Sequence, residues 1–126
     1  METLIQKLDK IFSEYIRLRD SDEYGMIRCI SCGKRVKWKE ADAGHFVSRR
    51  HLSLRFDEYN VNAQCKKCNQ FESGNIEGYK RGLILKHGRW IIDYLENKKN
   101  EIQEYSDFAI ELKIGHFRKK VREMKK

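Results

Sequence analysis

The sequence predicts an α+β fold: a small cysteine-stapled core with helices before and after it. Three observations predict it. Apolar residues recur at helical spacing near both ends, from Leu4 to Leu18 and from Trp90 to Met124. Between them, four short stretches read as strands. All four cysteines fall in this middle region as two Cys-x-x-Cys pairs, Cys29/Cys32 and Cys65/Cys68. With 126 residues, no proline and eight glycines, the chain shows no long flexible linker and reads as one domain over 1–126. Its parts are an N-terminal helix over 3–20, a core over 26–88 and a C-terminal helical extension over 89–126.

Leu4, Ile5, Leu8, Ile11, Phe12, Tyr15, Ile16 and Leu18 form the apolar stripe of the first helix. Thr3 is its expected N-cap, and Lys7 and Asp9 fall on its polar side. Met26 to Cys29 reads as a strand running into the first cysteine knuckle, where Gly33 suits a tight turn whose N–H groups point at a thiolate. Val36 to Trp38 reads as the returning strand. Residues 41–48 are a candidate strand carrying His45, residues 49–58 a basic loop, and Asn60 to Gln64 a strand that delivers the chain to Cys65. After Cys68 the pattern turns helical. Ser73-Gly74-Asn75 interrupts it, and Ser73 or Asn75 caps a helix carrying Ile76, Tyr79, Leu83 and Ile84 that stops near Gly88. Trp90, Ile91, Tyr94 and Leu95 mark another helix. Ile102 to Met124 marks one or two more, with a break near Asp107.

The net charge is +8 and the pI about 9.4, a balance that points to a polyanionic partner such as nucleic acid. From Arg28 to Arg55 there are eight Lys/Arg against two acids, between the cysteine pairs, where a solvated loop face is the plainer alternative. The tail from Arg118 to Lys126 holds six Lys/Arg against one acid and reads equally as a solvated end or a DNA-backbone contact. No apolar run approaches the roughly 20 residues that span a bilayer, and the first residues lack the apolar core of a secretion signal. A cytoplasmic, non-membrane protein is expected. In that compartment paired Cys-x-x-Cys motifs are metal sites more often than disulfides. Cys29, Cys32, Cys65 and Cys68 are therefore expected to hold one structural zinc ion. The 32 residues between the pairs leave room for something functional.

His45, Asn60 and Asn69, in register with both pairs, resemble the HNH or ββα-metal nuclease pattern. That pattern has a histidine on the first strand, an asparagine shortly before the second Cys-x-x-Cys, and an Asn or His opening the closing helix. The strings Cys29-Ile-Ser-Cys-Gly, Ala43-Gly-His-Phe, Leu54-Arg-Phe, Tyr59-Asn-Val, Gln64-Cys-Lys-Lys-Cys-Asn, Ser73-Gly-Asn and Tyr79-Lys-Arg-Gly-Leu are similar to the phage NinG (Rap) recombination-endonuclease family. The resemblance runs from about Arg28 to Gly88. It implies a zinc-stabilised ββα-metal core and a phage- or prophage-encoded endonuclease. Its substrates would be branched recombination intermediates such as Holliday junctions and D-loops. Cys68-Asn69-Gln70-Phe71-Glu72 is also similar to the Cys-Asn-x-x-Glu of the zinc-containing junction-resolving endonucleases of T-even phages, where the Asn and Glu belong to the active site. One departure stands out: many HNH enzymes have a metal-binding Asp before the histidine, and here that residue is Gly44. Glu58, Glu72, Asp57 and Asp42 are the candidate replacements. Glu58 and Glu72 are preferred, Glu72 for the string match and Glu58 because on a strand it would share a face with Asn60.

The resemblance implies His45 as general base. Asn69, Glu72 and Glu58 would hold a catalytic Mg²⁺ or Mn²⁺, and Asn60 would fix the loop that aims His45. Arg49, Arg50, Arg55, Lys37, Lys66 and Lys67 would contact DNA. His51 reads as a surface or satisfied core histidine, with contact to DNA or metal as the alternative, and the zinc takes no part in the chemistry. The competing readings are a non-catalytic zinc-containing DNA-binding module and an HNH nuclease without branch specificity. A resolvase cuts two symmetrically placed strands, so a homodimer is expected. The first helix and the helices after Trp90 are its expected interface.

Overall fold

The computed structural model describes all 126 residues. It is a mixed α+β architecture with helices flanking two small sheets. Helix α1 spans Leu4–Arg19 and opens on a capping box: Thr3 Oγ1 accepts from Gln6 N at 3.2 Å, and Gln6 Oε1 accepts from Thr3 N at 2.9 Å. Strands β1 (Met26–Arg28) and β2 (Arg35–Lys37) form one antiparallel hairpin. A single 3₁₀ turn comes next at Trp38–Glu40. Strands β3 (Asp42–His45) and β4 (Val61–Gln64) form the second antiparallel sheet, with Asp42 opposite Gln64 and His45 opposite Val61.

The four strands thus pair as two separate two-stranded sheets. Beyond β4 the chain makes one π-helical turn, Lys67–Phe71, rather than a long helix. The basic loop also carries structure, since α2 spans Leu52–Arg55. Helix α3 runs Ile76–His87 from Asn75, whose Oδ1 accepts from Gly78 N at 3.3 Å. It stops at Gly88, where φ is +102°, a conformation side chains resist. Helix α4 spans Trp90–Lys98, and α5 spans Asp107–Met124 from its cap Ser106.

The largest core cluster joins α1 to α5 and to β4. Leu8, Phe12, Tyr15 and Ile16 pack on Ile110, Ile114, Phe117 and Val121, with Phe56 and Val61 beneath them. Phe12 meets Phe117 and Phe56 edge-on, at 5.0 and 5.7 Å between centroids. Each such side chain contributes roughly 1.5–3 kcal/mol by leaving water. The faces of α1 and α5 that meet are buried within one chain, while Phe108 and Leu112 on α5 stay exposed. A second cluster seats α3 and α4 on Leu54 through Tyr79, Leu83, Ile91 and Leu95. Tyr79 ties it to the sheet: its hydroxyl donates to Gly44 O at 2.7 Å. No helix is long and apolar enough to cross a membrane.

Candidate active site and metal centre

The ends of β1 and β4 bring the two knuckles together, helped by a 3.1 Å bond from Ile30 N to Ala63 O. The four Sγ atoms lie within 4.8 Å of one another, and Cys32 Sγ stands 3.8 Å from Cys65 Sγ. A disulfide needs about 2.05 Å. Four thiolates about 2.3 Å from a tetrahedral zinc stand roughly 3.8 Å apart. The group could hold a metal ion such as zinc. Burial raises the Cys29 thiol, but backbone donors from Cys65, Cys32 and Ser31 outweigh it and leave the group below its ordinary value. Those N–H groups are the knuckle turns stabilising negative sulfur. Cys68, with less of this help, is pushed up to about 12, chiefly by burial.

Beside this centre lies an open cleft of about 470 Å³. Asp9 on α1, Asp42 and His45 on β3, Arg49 on the loop after it, and Asn69 and Gln70 on the π turn all line it. Asp42 collects three donors: Lys66 Nζ at 2.8 Å, Asn69 Nδ2 at 2.9 Å and Gln70 Nε2 at 2.8 Å. Burial raises its pKa, but these bonds prevail and hold it below the usual carboxylate range. His45 Nε2 sits 2.9 Å from Arg55 O. A carbonyl only accepts, so Nε2 carries the proton and the lone pair lies on Nδ1. Burial is the main reason that the imidazole falls below its ordinary 6.5, with Arg49 and Arg55 adding repulsion. Asn60 is fully buried outside the cleft. Its Oδ1 accepts from Val47 N at 2.8 Å, and its Nδ2 donates to Val47 O at 2.9 Å and Leu54 O at 3.1 Å. It clasps the segment that carries Arg49 and ends on the carbonyl holding His45.

Residues 1–126 match the family described as Bacteriophage Lambda NinG protein. The chain belongs to the NinG family. It is 37% identical over 99 residues to protein ninG of Escherichia phage 933W, covering 76% of this chain and 46% of that one. Against protein ninG of Escherichia phage lambda the identity is 36% over 99 residues, covering 76% and 45%. For Salmonella phage P22 it is 38% over 96 residues, covering 74% and 44%. The chain thus spans about half the length of these curated relatives. No solved structure matches it.

In this NinG-family chain the cleft unites His45 and Asn69, but with Asp42 rather than Glu58 or Glu72. Glu58 lies in a turn closed by Asn60 N on Asp57 O at 3.0 Å, so no strand alternation puts it beside Asn60. Its carboxylate accepts from Tyr15 Oη at 2.6 Å instead. Glu72 is carried outward by the wide π turn, closed by Glu72 N on Lys67 O at 3.0 Å, and pairs with Lys67 at 3.6 Å. Asp57 lies outside the cleft and accepts from Tyr94 and Lys98, each at 2.6 Å. Among the basic residues, Arg49 lines the cleft and Lys66 stands at its rim on Asp42. Arg50, Lys37 and Lys67 are exposed, and His51 only opens α2. Arg55 is not free for phosphate: its guanidinium is forked onto Asp9 at 3.0 and 2.5 Å. Asp9 is the residue that sequence reasoning missed. It reads as one polar position on an amphipathic helix, and no local signal marks it.

The structure also accounts for Gly44. A Cβ there would fall 1.9 Å from Gln64 Oε1, so the position admits no side chain while Gln64 is anchored to Ser31 Oγ and Gly74 O. Asp42, two residues earlier, supplies a carboxylate to the cleft. Gly44→Asp is therefore expected to destabilise the fold by a few kcal/mol, through overpacking and a buried charge. A thermal melt checks this; a variant with wild-type Tm contradicts it.

Proposed function

We propose that this chain is a divalent-metal-dependent DNA endonuclease that cuts branched recombination intermediates, with a zinc ion on its four cysteines serving structure alone. The observation that carries the reading is the cleft that brings an ionised Asp42, a neutral His45, Asn69 and Arg49 together. Four thiolates would close the zinc coordination sphere and leave no place for water. The cleft offers a different donor set, hard oxygens suited to Mg²⁺ or Mn²⁺. Asn69 spends its Nδ2 on Asp42, which leaves its Oδ1 available. Asp42 is held as the anion. When bound by Asp42 and Asn69, the ion would neutralise charge on the scissile phosphate and the leaving 3′ oxygen.

The chain's own residues perform the rest. His45 Nδ1 accepts the proton of the attacking water as its oxygen bonds to phosphorus and the P–O3′ bond breaks. The Nε2–H bond to Arg55 O keeps the ring aimed and stabilises the imidazolium that forms. Asn60 holds that segment in place, and the Asp9–Arg55 fork ties it to α1. Arg49 meets a phosphate flanking the cut. On this reading Asp42 takes the place of the acid absent at Gly44, which weighs against a non-catalytic module. Two symmetric cuts would need two copies.

The branched-substrate class rests on the resemblance of the chain to recombination endonucleases and on its net charge of +8. A synthetic four-way junction tests it. Cleavage is expected only with Mg²⁺ or Mn²⁺ and faster than on linear duplex. Binding without cleavage across several metals and branched substrates would show a DNA-binding module instead. Equal cutting of linear DNA would remove the branch specificity.

A further inference from the structure

A groove of about 720 Å³ lies between the first knuckle and α3 and shares no lining residue with the cleft. One wall is the first knuckle, from Arg28 to Gly33; the other is α3, from Gly78 to Lys86. Two glycines set its shape. A Cβ at Gly78 would fall 2.3 Å from Ser31 O, and one at Gly82 would fall 1.9 Å from Ile30 O. The knuckle backbone thus lies directly on the helix, and the groove is fixed by main chain rather than by movable side chains.

No acidic side chain lines it. Lys86 is turned to Asn62 Oδ1 at 2.9 Å and Asp20 at 3.6 Å, but two guanidinium groups remain, one on each wall. Arg28 is exposed, and its guanidinium donates to Gly33 O at 3.1 Å. Arg81 is exposed on α3 and has no carboxylate partner. Two planar cations facing one rigid groove suit a chain of phosphates better than an acidic peptide, whose carboxylates vary in spacing.

We propose that this groove binds the phosphate backbone of a duplex arm other than the arm being cut. The proposal rests on the nuclease reading and adds to it a source of branch preference. A junction has arms leaving in several directions, so one arm can occupy the cleft while another meets the groove.

The test is equilibrium binding of the full chain to a four-way junction and to linear duplex over a salt series, comparing wild type with Arg28→Gln/Arg81→Gln. The double variant is expected to bind the junction about tenfold more weakly at moderate salt. Its log–log salt slope should be shallower by about 1.8, for two lost phosphate contacts. Linear-duplex binding, bound metal and Tm should stay as in wild type. The single Arg81→Gln variant, which leaves the knuckle untouched, should show about half of that slope change.

Junction affinity unchanged from wild type would overturn the proposal while leaving the nuclease reading intact. So would an equal loss on linear and branched DNA. Loss of bound metal with unchanged DNA affinity would show that the arginines only neutralise the thiolate centre, and would overturn it too. Wild-type protein that cuts no DNA but shows the predicted binding difference would overturn the nuclease reading alone.

Discussion

Replacing His45 by Ala is expected to lower cleavage about 10²–10⁴-fold, the range that a positioned general base supplies. Junction affinity and cysteine-bound metal should be unchanged, since His45 touches neither the knuckles nor the basic rim. The pH profile gives a second readout. Burial lowers the folded-state pKa of His45 below 6.5, so the ring is neutral at neutral pH, the state the proposed base needs. Cleavage should therefore be level near pH 7 and above, and fall only at pH values under 6.5. The same shift carries a stability sign. Below pH 6.5 the unfolded chain binds a proton that the folded His45 resists, so stability falls as pH falls through that range. A His45→Ala protein that cuts at the wild-type rate would remove His45 from the chemistry.

The second large effect concerns the thiolate centre. Structural zinc on four cysteines contributes about 10–16 kcal/mol of apparent binding free energy at neutral pH, against a total of about 5–15 kcal/mol for a typical domain. Removing the ion should therefore unfold the knuckle region rather than loosen it. The sheets have strands of only three or four residues and cannot hold the register of Asp42, His45 and Asn69 alone. Cys65→Ser, or a strong chelator, is expected to abolish cooperative melting of the core and release the metal. Far-ultraviolet circular dichroism and metal analysis check this. A Cys65→Ser protein that melts at the wild-type temperature without metal would contradict the structural role.

Much of the molecule was legible in the sequence where the signal is local. Thr3 with Gln6 three residues on, then a 3.6-residue stripe, specifies α1 and its cap. The Cys-x-x-Cys spacing specifies the thiolate centre, and Asn75 and Gly88 bracket α3. His45 and Asn69 could be singled out because they keep register with the cysteines. What the sequence hides depends on backbone geometry or on distant partners. A π turn has no clear sequence signature, and it swings Glu72 outward while leaving Asn69 in the cleft. Glu58 would have shared a face with Asn60 on a strand, but residues 57–60 form a turn. Gly44 looked like a lost ligand because the volume of Gln64, twenty residues on, is invisible locally. Asp9 and Arg55 meet across 46 residues. The apolar faces of α1 and α5 looked surplus because nothing in either helix names the other as its partner.

On the proposed mechanism Asp42, not Glu58 or Glu72, supplies the carboxylate that holds the catalytic metal. The direct measurement is metal-dependent cleavage of a four-way junction by Asp42→Asn, Glu58→Gln and Glu72→Gln, each confirmed to be folded and metal-loaded at its cysteines. Asp42→Asn should lose about a hundredfold or more, the several kcal/mol that a properly held Lewis acid contributes. The two glutamine variants should stay within a few-fold of wild type. Near-normal cleavage by Asp42→Asn, or its loss in either glutamine variant, would contradict the account.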